Sequence, residues 1–166
     1  MSDPGEQVRA EMLALLPRLR RFAIALTGSV SDGDDLVQDT VERALKYLHT
    51  WESGTSLDKW MFRIARNRFI DGRRAARRAG EVVSDAPGEM AGAMVDGERE
   101  VESRLALGAV DAALQALPLE QREAVALVLI DGVSYRDAAE QLGVPIGTLT
   151  SRIGRARQSL ALALGD

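Results

Sequence analysis

Apolar residues recur at helical spacing along almost the whole of this chain, and no stretch shows the two-residue alternation of a strand. Val8, Met12, Leu15, Leu16, Leu19, Phe22, Ala23 and Leu26 repeat at i, i+4, i+7 and i+8, which predicts a first amphipathic helix. "TGSVSDG" interrupts the pattern, with Gly28 and Gly33 as breaks. A second helix is expected with Val37, Val41, Ala44, Leu45 and Leu48 inside, ending near "TWESGTS". A third is expected from about Leu57 to Arg78, burying Leu57, Met61, Ile64 and Ala65. Three such helices with short connections predict a small bundle.

The composition then changes. Residues 81–102 carry Glu81, Asp85, Glu89, Asp96, Glu98, Glu100 and Glu102 against Arg99 alone, among glycines, a proline and small residues. That composition predicts a flexible acidic linker, the other reading being a solvated loop within one domain. Helical spacing resumes with Leu105, Val110, Ala113, Leu114 and Leu117. Pro118 opens a further helix through Val125, Ala126, Val128 and Leu129, closed by Gly132. "SYRDAAEQLG" predicts a short helix with Ser134 as N-cap and Gly143 just past its end. "VPIGTLTSRIGRARQSLALAL" predicts the last helix. The expected fold is all-α: an N-terminal three-helix-type bundle in residues 1–80, a linker in 81–101, and a C-terminal helix-turn-helix domain in 102–166. A length of 166 residues suits two small domains or one compact one.

Several function classes are excluded by composition. The chain has no cysteine, and His49 is its only histidine, which rules out a disulfide scaffold, a thiolate metal site and a histidine-rich zinc site. No run of about 18 apolar residues offers a membrane span, and "MSDPGEQVRAEM" lacks the shape of a signal peptide, so a cytoplasmic protein is expected. Asp32, Asp34, Asp35, Asp39 and Glu42 cluster in "SDGDDLVQDTVERAL", with Asp35, Asp39 and Glu42 sharing a face. Such carboxylates can hold Mg²⁺ for nuclease chemistry, dock a basic protein, or simply be solvated. No histidine or lysine accompanies them as base or clamp, and a helix N-terminus favours Asp32 to Asp35 anyway, though not Asp39 or Glu42, so neither a metal nor a cofactor is expected.

Against a formal net charge of −4, the stretch from Trp60 to Arg78 holds seven arginines and one acid. At 100° per residue Trp60, Arg63, Asn67, Ile70 and Arg74 form one stripe beside the apolar face. An aromatic plate, an amide and a basic track are the parts that hold single-stranded nucleic acid. The plainer alternative is a core Trp60 with solvated arginines. "SYRDAAEQLGVPIGTLTSRIGRAR" joins two helices through Gly143-Val144-Pro145, with Leu142, Val144, Ile146, Leu149 and Ile153 expected underneath. Thr148, Thr150, Ser151, Arg152, Arg155 and Arg157 remain outside, side chains suited to phosphates and base edges. This predicts a helix-turn-helix that places its second helix in the major groove, the alternative being a plain αα-hairpin in a core.

"DDLVQDTVERAL", "WMFRIARNRFIDGRR" and "LPLEQREAVALVLIDGVSYRDAAEQLGVPIGTLTSRIGRAR", in that order, resemble the bacterial extracytoplasmic-function sigma factors of the sigma-70 type. The resemblance covers nearly the whole chain apart from the linker. It implies that residues 1–80 bind core RNA polymerase and the −10 promoter element, and residues 102–166 the −35 element. Asp35, Gln38, Asp39 and Glu42 match the positions that dock on the β′ clamp helices. Trp60, Arg63 and Asn67 match those that melt DNA and capture a flipped base, with Trp51 in the loop that helps form the base pocket. Arg73 and Arg74 extend that DNA-binding set, and Thr148, Thr150, Ser151, Arg152, Arg155 and Arg157 would face the −35 element. The β flap and an anti-sigma factor are the further partners implied. Thr150 stands where the family often has arginine or lysine, and Gly154 where it often has a large apolar residue, so the −35 sequence is not transferable by analogy. Outside the resemblance, the rivals are a stand-alone helix-turn-helix regulator and a Mg²⁺-dependent nuclease using Asp35 and Asp39.

Overall fold

The computed structural model describes residues 3–80 and 98–165, and those residues are mainly helical. Helix α1 (Pro4–Thr27) starts where Asp3 accepts from Gly5 N at 3.3 Å, with Pro4 in the first turn, where a missing N–H is harmless. It stops at Gly28, whose φ of 76° is the left-handed conformation that glycine adopts without strain. Helix α2 (Val30–Lys46) is capped by Ser29, which accepts from Asp32 N at 3.2 Å. A 3-10 turn (Leu48–Thr50) and a loop lead into α3 (Leu57–Arg78). Gly33 allows α1 and α2 to approach closely: a Cβ there would lie 2.6 Å from Ile24 Cγ1. Phe22 of α1 packs its ring 5.1 Å from that of Phe62 of α3, and Leu19, Leu26, Ala44 and Met61 fill the space around them.

The second half begins with α4 (Glu98–Ala116), so helix starts four residues ahead of the boundary expected at 102. Of the expected linker, residues 81–97 lie outside the described residues, and its flexibility with them. Pro118 precedes α5 (Leu119–Val125), which widens into a π-helical turn (Ala126–Ile130) where Asp131 N bonds Ala126 O at 3.0 Å. Then come α6 (Tyr135–Leu142) and α7 (Ile146–Leu164). Ser134 accepts from Asp137 N at 3.1 Å, and Gly143 closes α6 at φ 65°, as the sequence predicts. Leu149, Ile153 and Ala156, one face of α7, are fully buried.

The two halves touch. Helix α1 contacts α4, α5 and the π turn, α3 contacts α6, and one apolar cluster runs from Leu19 and Leu26 through Val125 and Leu127 to Leu149. Several residues expected inside are outside: Leu45, Val110, Leu129 and Ile146 are exposed. Helical periodicity gives a side chain's direction but not which sector of a helix another helix covers. No helix among the described residues is long and apolar enough to cross a membrane.

Candidate nucleic-acid interface

Trp51 leaves the 3-10 turn with its N–H bonded to Leu48 O at 3.1 Å, and the loop reverses at Gly54, φ 92°. That return brings Trp51 beside the first turns of α3. Trp60 is half-buried against the core, while Arg63 and Asn67, one and two turns further on, are exposed. Trp51, Trp60 and Arg63 line one cavity of about 530 Å³, together with Lys59 and, from α6, Glu140. The indole Nε1 of Trp51 is buried without a hydrogen-bond partner. The predicted stripe therefore exists, but it divides. Arg73 and Arg74 line a second cavity of about 480 Å³, whose far wall is Leu117, Leu119 and Arg122. Arg73 also stacks its guanidinium 5.5 Å from the Phe69 ring centre, and Asn67 lines neither cavity.

Arg66 and Arg68 face protein. Arg68 Nε lies 2.5 Å from Asp39 Oδ2 on α2. Arg66 Nε lies 2.9 Å from Glu123 Oε1, a charge contact whose angle falls outside hydrogen-bonding range. The Glu123 side chain is wholly buried, and burial pushes its carboxyl above the usual range against the pull of Arg66. Asp131 is in the same condition: burial raises its carboxyl, opposed by Arg21 at 3.1 Å. No sequence signal marked Glu123, Asp131 or Glu140, since their partners lie on distant segments.

On the acidic helix Asp35, Gln38 and Glu42 are exposed, with Gln38 Nε2 donating to Glu42 Oε1 at 3.4 Å. Asp39 is only partly available, because Arg68 holds it. On α7, Thr150, Ser151, Arg155 and Arg157 are exposed, while Thr148 and Arg152 are half-buried. The Thr150 hydroxyl donates back to Ile146 O at 2.9 Å, so the helix itself occupies its proton. Arg152 is close enough to Glu123 to oppose its desolvation, which turns this arginine partly inward. Ile146, expected underneath, stands exposed at the first position of α7.

Two family models match the chain: one described as the Sigma2 domain of PhyR, over residues 12–66, and one described as Sigma-70, region 4, over residues 107–160. The ECF RNA polymerase sigma factor EcfG of Rhodopseudomonas palustris (strain TIE-1) is 40% identical over 159 residues, covering 96% of this chain and 86% of that protein. Among solved structures, the sigma factor RpoE in complex with the anti-sigma factor NepR from Bartonella quintana aligns with a TM-score of 0.76 at 36% identity, covering 96% of this chain and 98% of that one. CnrH in complex with the cytosolic domain of CnrY aligns with a TM-score of 0.68 at 26% identity, covering 97% and 89%.

Proposed function

The chain belongs to the extracytoplasmic-function sigma factors and directs promoter-specific transcription initiation by RNA polymerase, and on that footing we propose how its residues divide the work. The N-terminal half, residues 1–80, engages core polymerase and the −10 element; the C-terminal half, from α4 onward, engages the −35 element. Asp35, Gln38 and Glu42 meet the basic surface of the β′ clamp helices, and Asp39 contributes while bridging to Arg68. The C-terminal half meets the β flap. An anti-sigma factor holds the protein when it is not needed, as the solved RpoE neighbour is in complex with the anti-sigma factor NepR. The protein acts by binding, without chemistry of its own, in the cytoplasm where polymerase works.

The observation that carries the melting role is the cavity shared by Trp51, Trp60 and Arg63. Its two indoles offer stacking surface, and Arg63 offers a charge for the backbone. A stacked base is worth roughly 1–3 kcal/mol, and opening a duplex step costs about 1.4 kcal/mol. Capture of one or two bases therefore offsets a similar number of opened steps, enough to nucleate a bubble and no more. Arg73 and Arg74 extend the basic track. On α7, Thr150, Ser151 and the exposed Ile146 lie near the end of the helix that reaches base edges, and Arg155 and Arg157 hold phosphates.

Run-off transcription with core polymerase over a promoter library tests this reading. Transcripts should depend on core, on this chain and on both elements. Trp60→Ala and Asn67→Ala should impair open-complex formation, and a pre-melted bubble should partly rescue Trp60→Ala. Equal defects on duplex and pre-melted templates would make Trp60 a folding residue. Specific duplex binding without core would instead favour a stand-alone regulator.

A further inference from the structure

We propose that the cavity between the last turns of α3 and the junction of α4 with α5 is a binding site for a free nucleoside polyphosphate, its phosphates gripped by Arg73, Arg74, Arg77 and Arg122 and its base laid against Ile70, Leu117 and Leu119. The site goes beyond the sigma-factor reading and does not depend on it. Its volume of about 480 Å³ lies within the roughly 300–1,000 Å³ of small-molecule pockets. Arginines line it from both walls, and among the described residues no acid does. The carboxylates that act on Arg122, Asp111 and Glu123, line no part of it, so its inner face stays positive.

Two of the guanidiniums are held in place before any ligand arrives. Arg122 is almost wholly buried, and its Nη1 donates to the Gln115 main-chain carbonyl and to Gln115 Oε1, both at 3.1 Å. Gln115 is anchored in turn, its Nε2 donating to Ala25 O of α1 at 2.9 Å. Arg73 stacks on the Phe69 ring, 5.5 Å from its centre. Donors fixed in this way lower the ordering cost of binding. A helix C-terminus favours arginines through its dipole, which accounts for Arg77 but not for Arg122, buried on the far wall. Like charges gathered around one cavity repel, and a polyanion between them relieves that repulsion.

The chemistry of the lining selects the ligand. Arginine forks match phosphate oxygens two at a time. Arg73 and Arg77 stand one turn apart on α3, about 5.4 Å, with Arg122 across from them, a spread that several linked phosphates fill and a single one does not. Ile70, Leu117 and Leu119 supply an apolar face in the same cavity, which inorganic phosphate leaves unused and a nucleobase covers. A cavity of this size admits a mononucleotide and excludes a duplex.

Isothermal titration calorimetry on the whole chain, without polymerase or promoter, tests the site. GTP or ATP should bind about ten-fold more tightly than GMP or AMP, which lack the linked phosphates, and about five-fold more tightly than inorganic tripolyphosphate, which lacks the base. Ala116 is exposed, lines the cavity and lies outside the proposed DNA-binding set. Ala116→Glu should weaken nucleotide binding about ten-fold or more with an unchanged melting temperature, and Ala116→Gln should leave it within about two-fold. Arg77→Ala should cost about five-fold, while Arg9→Ala, at an exposed arginine lining a different cavity, should cost nothing. Tripolyphosphate binding as tightly as GTP and ATP, monophosphates binding as tightly as triphosphates, or full binding by Ala116→Glu would each overturn the proposal. So would equal losses from Arg77→Ala and Arg9→Ala, which would reduce binding to general charge attraction; that pair decides by itself if Ala116→Glu melts early. Failure of these titrations leaves the sigma-factor reading standing, and wild-type protein that never supports transcription would strike that reading while leaving the titrations intact.

Discussion

At the scale of single residues, charge placement separates surface from scaffold. Glu42 is exposed and, among the described residues, bonded to Gln38 alone, whereas Asp39 holds Arg68. Glu42→Lys should therefore weaken capture of core polymerase with an unchanged melting temperature, while Asp39→Lys should also lower that temperature. Unchanged capture by Glu42→Lys in a pull-down would remove the docking assignment. On α7, Arg157→Ala should weaken promoter binding across all sequences and reduce its salt slope by about one phosphate. Thr150→Arg should change the preferred −35 base, gaining a guanine contact of roughly 1–3 kcal/mol. A base-by-base promoter scan at two salt concentrations reads both, and the reverse pattern would mean the helix enters the groove differently. Glu123 supplies a pH prediction. Burial raises its carboxyl in the folded state despite Arg66, Arg152 and Arg122 around it. The stability it contributes is present below the ordinary glutamate range and is lost as pH rises through the raised value. Glu123→Gln should accordingly stabilise the protein most at pH 7–8 and least near pH 4 in thermal melts. A loss of stability at neutral pH would show that the contact with Arg66 outweighs burial.

At the scale of elements, caps and close approaches set where helices begin and how they pack. Ser134→Ala removes the acceptor for Asp137 N and should cost about 1 kcal/mol, fraying α6 and with it the placement of Glu140. Gly33→Ala has a different origin. The new methyl meets Ile24 Cγ1 at 2.6 Å and the Ile24 backbone at 3.0 Å, so α1 and α2 must part. A cost of roughly 1–3 kcal/mol is expected from urea unfolding; a change within experimental scatter would mean that Ile24 alone gives way. The π turn ending at Asp131 is itself placed between halves, since α1 packs on it and Arg21 reaches Asp131.

Across the whole molecule, opposite charge is sorted onto opposite tasks. In the proposed division of work the outward arginines of α3 and α7 meet DNA and the acids of α2 meet polymerase, and a net charge of −4 limits indiscriminate DNA binding by the free chain. The seam between halves draws on other charges: Arg21, Lys59 and Arg66 on the first half, and Asp131, Glu140 and Glu123 on the second. Its partly exposed pairs, Arg21–Asp131 and Lys59–Glu140, are open to screening. Raising salt from low to molar concentration should loosen the free protein, read as an increased radius of gyration in small-angle scattering. A constant radius would place the hold on the apolar cluster instead.

The sequence by itself determined the seven main helices, the Ser134 and Gly143 boundaries, the helix-turn-helix and the stripe of Trp60, Arg63 and Asn67. Each of these depends on local spacing or on one residue's backbone preference, and such signals are complete within a few turns of chain. Only the tertiary structure decided which charges are shared. Arg68 meets Asp39 across 29 residues, Lys59 meets Glu140 across 81, and Arg21 meets Asp131 across 110. It likewise decided that Leu45 and Ile146 face outward, and that the basic stripe divides between two cavities. Periodicity orients a side chain about its own helix axis, but a neighbour's arrival turns an outward arginine into half of an ion pair, and where that neighbour comes to rest is settled by the packing of distant segments.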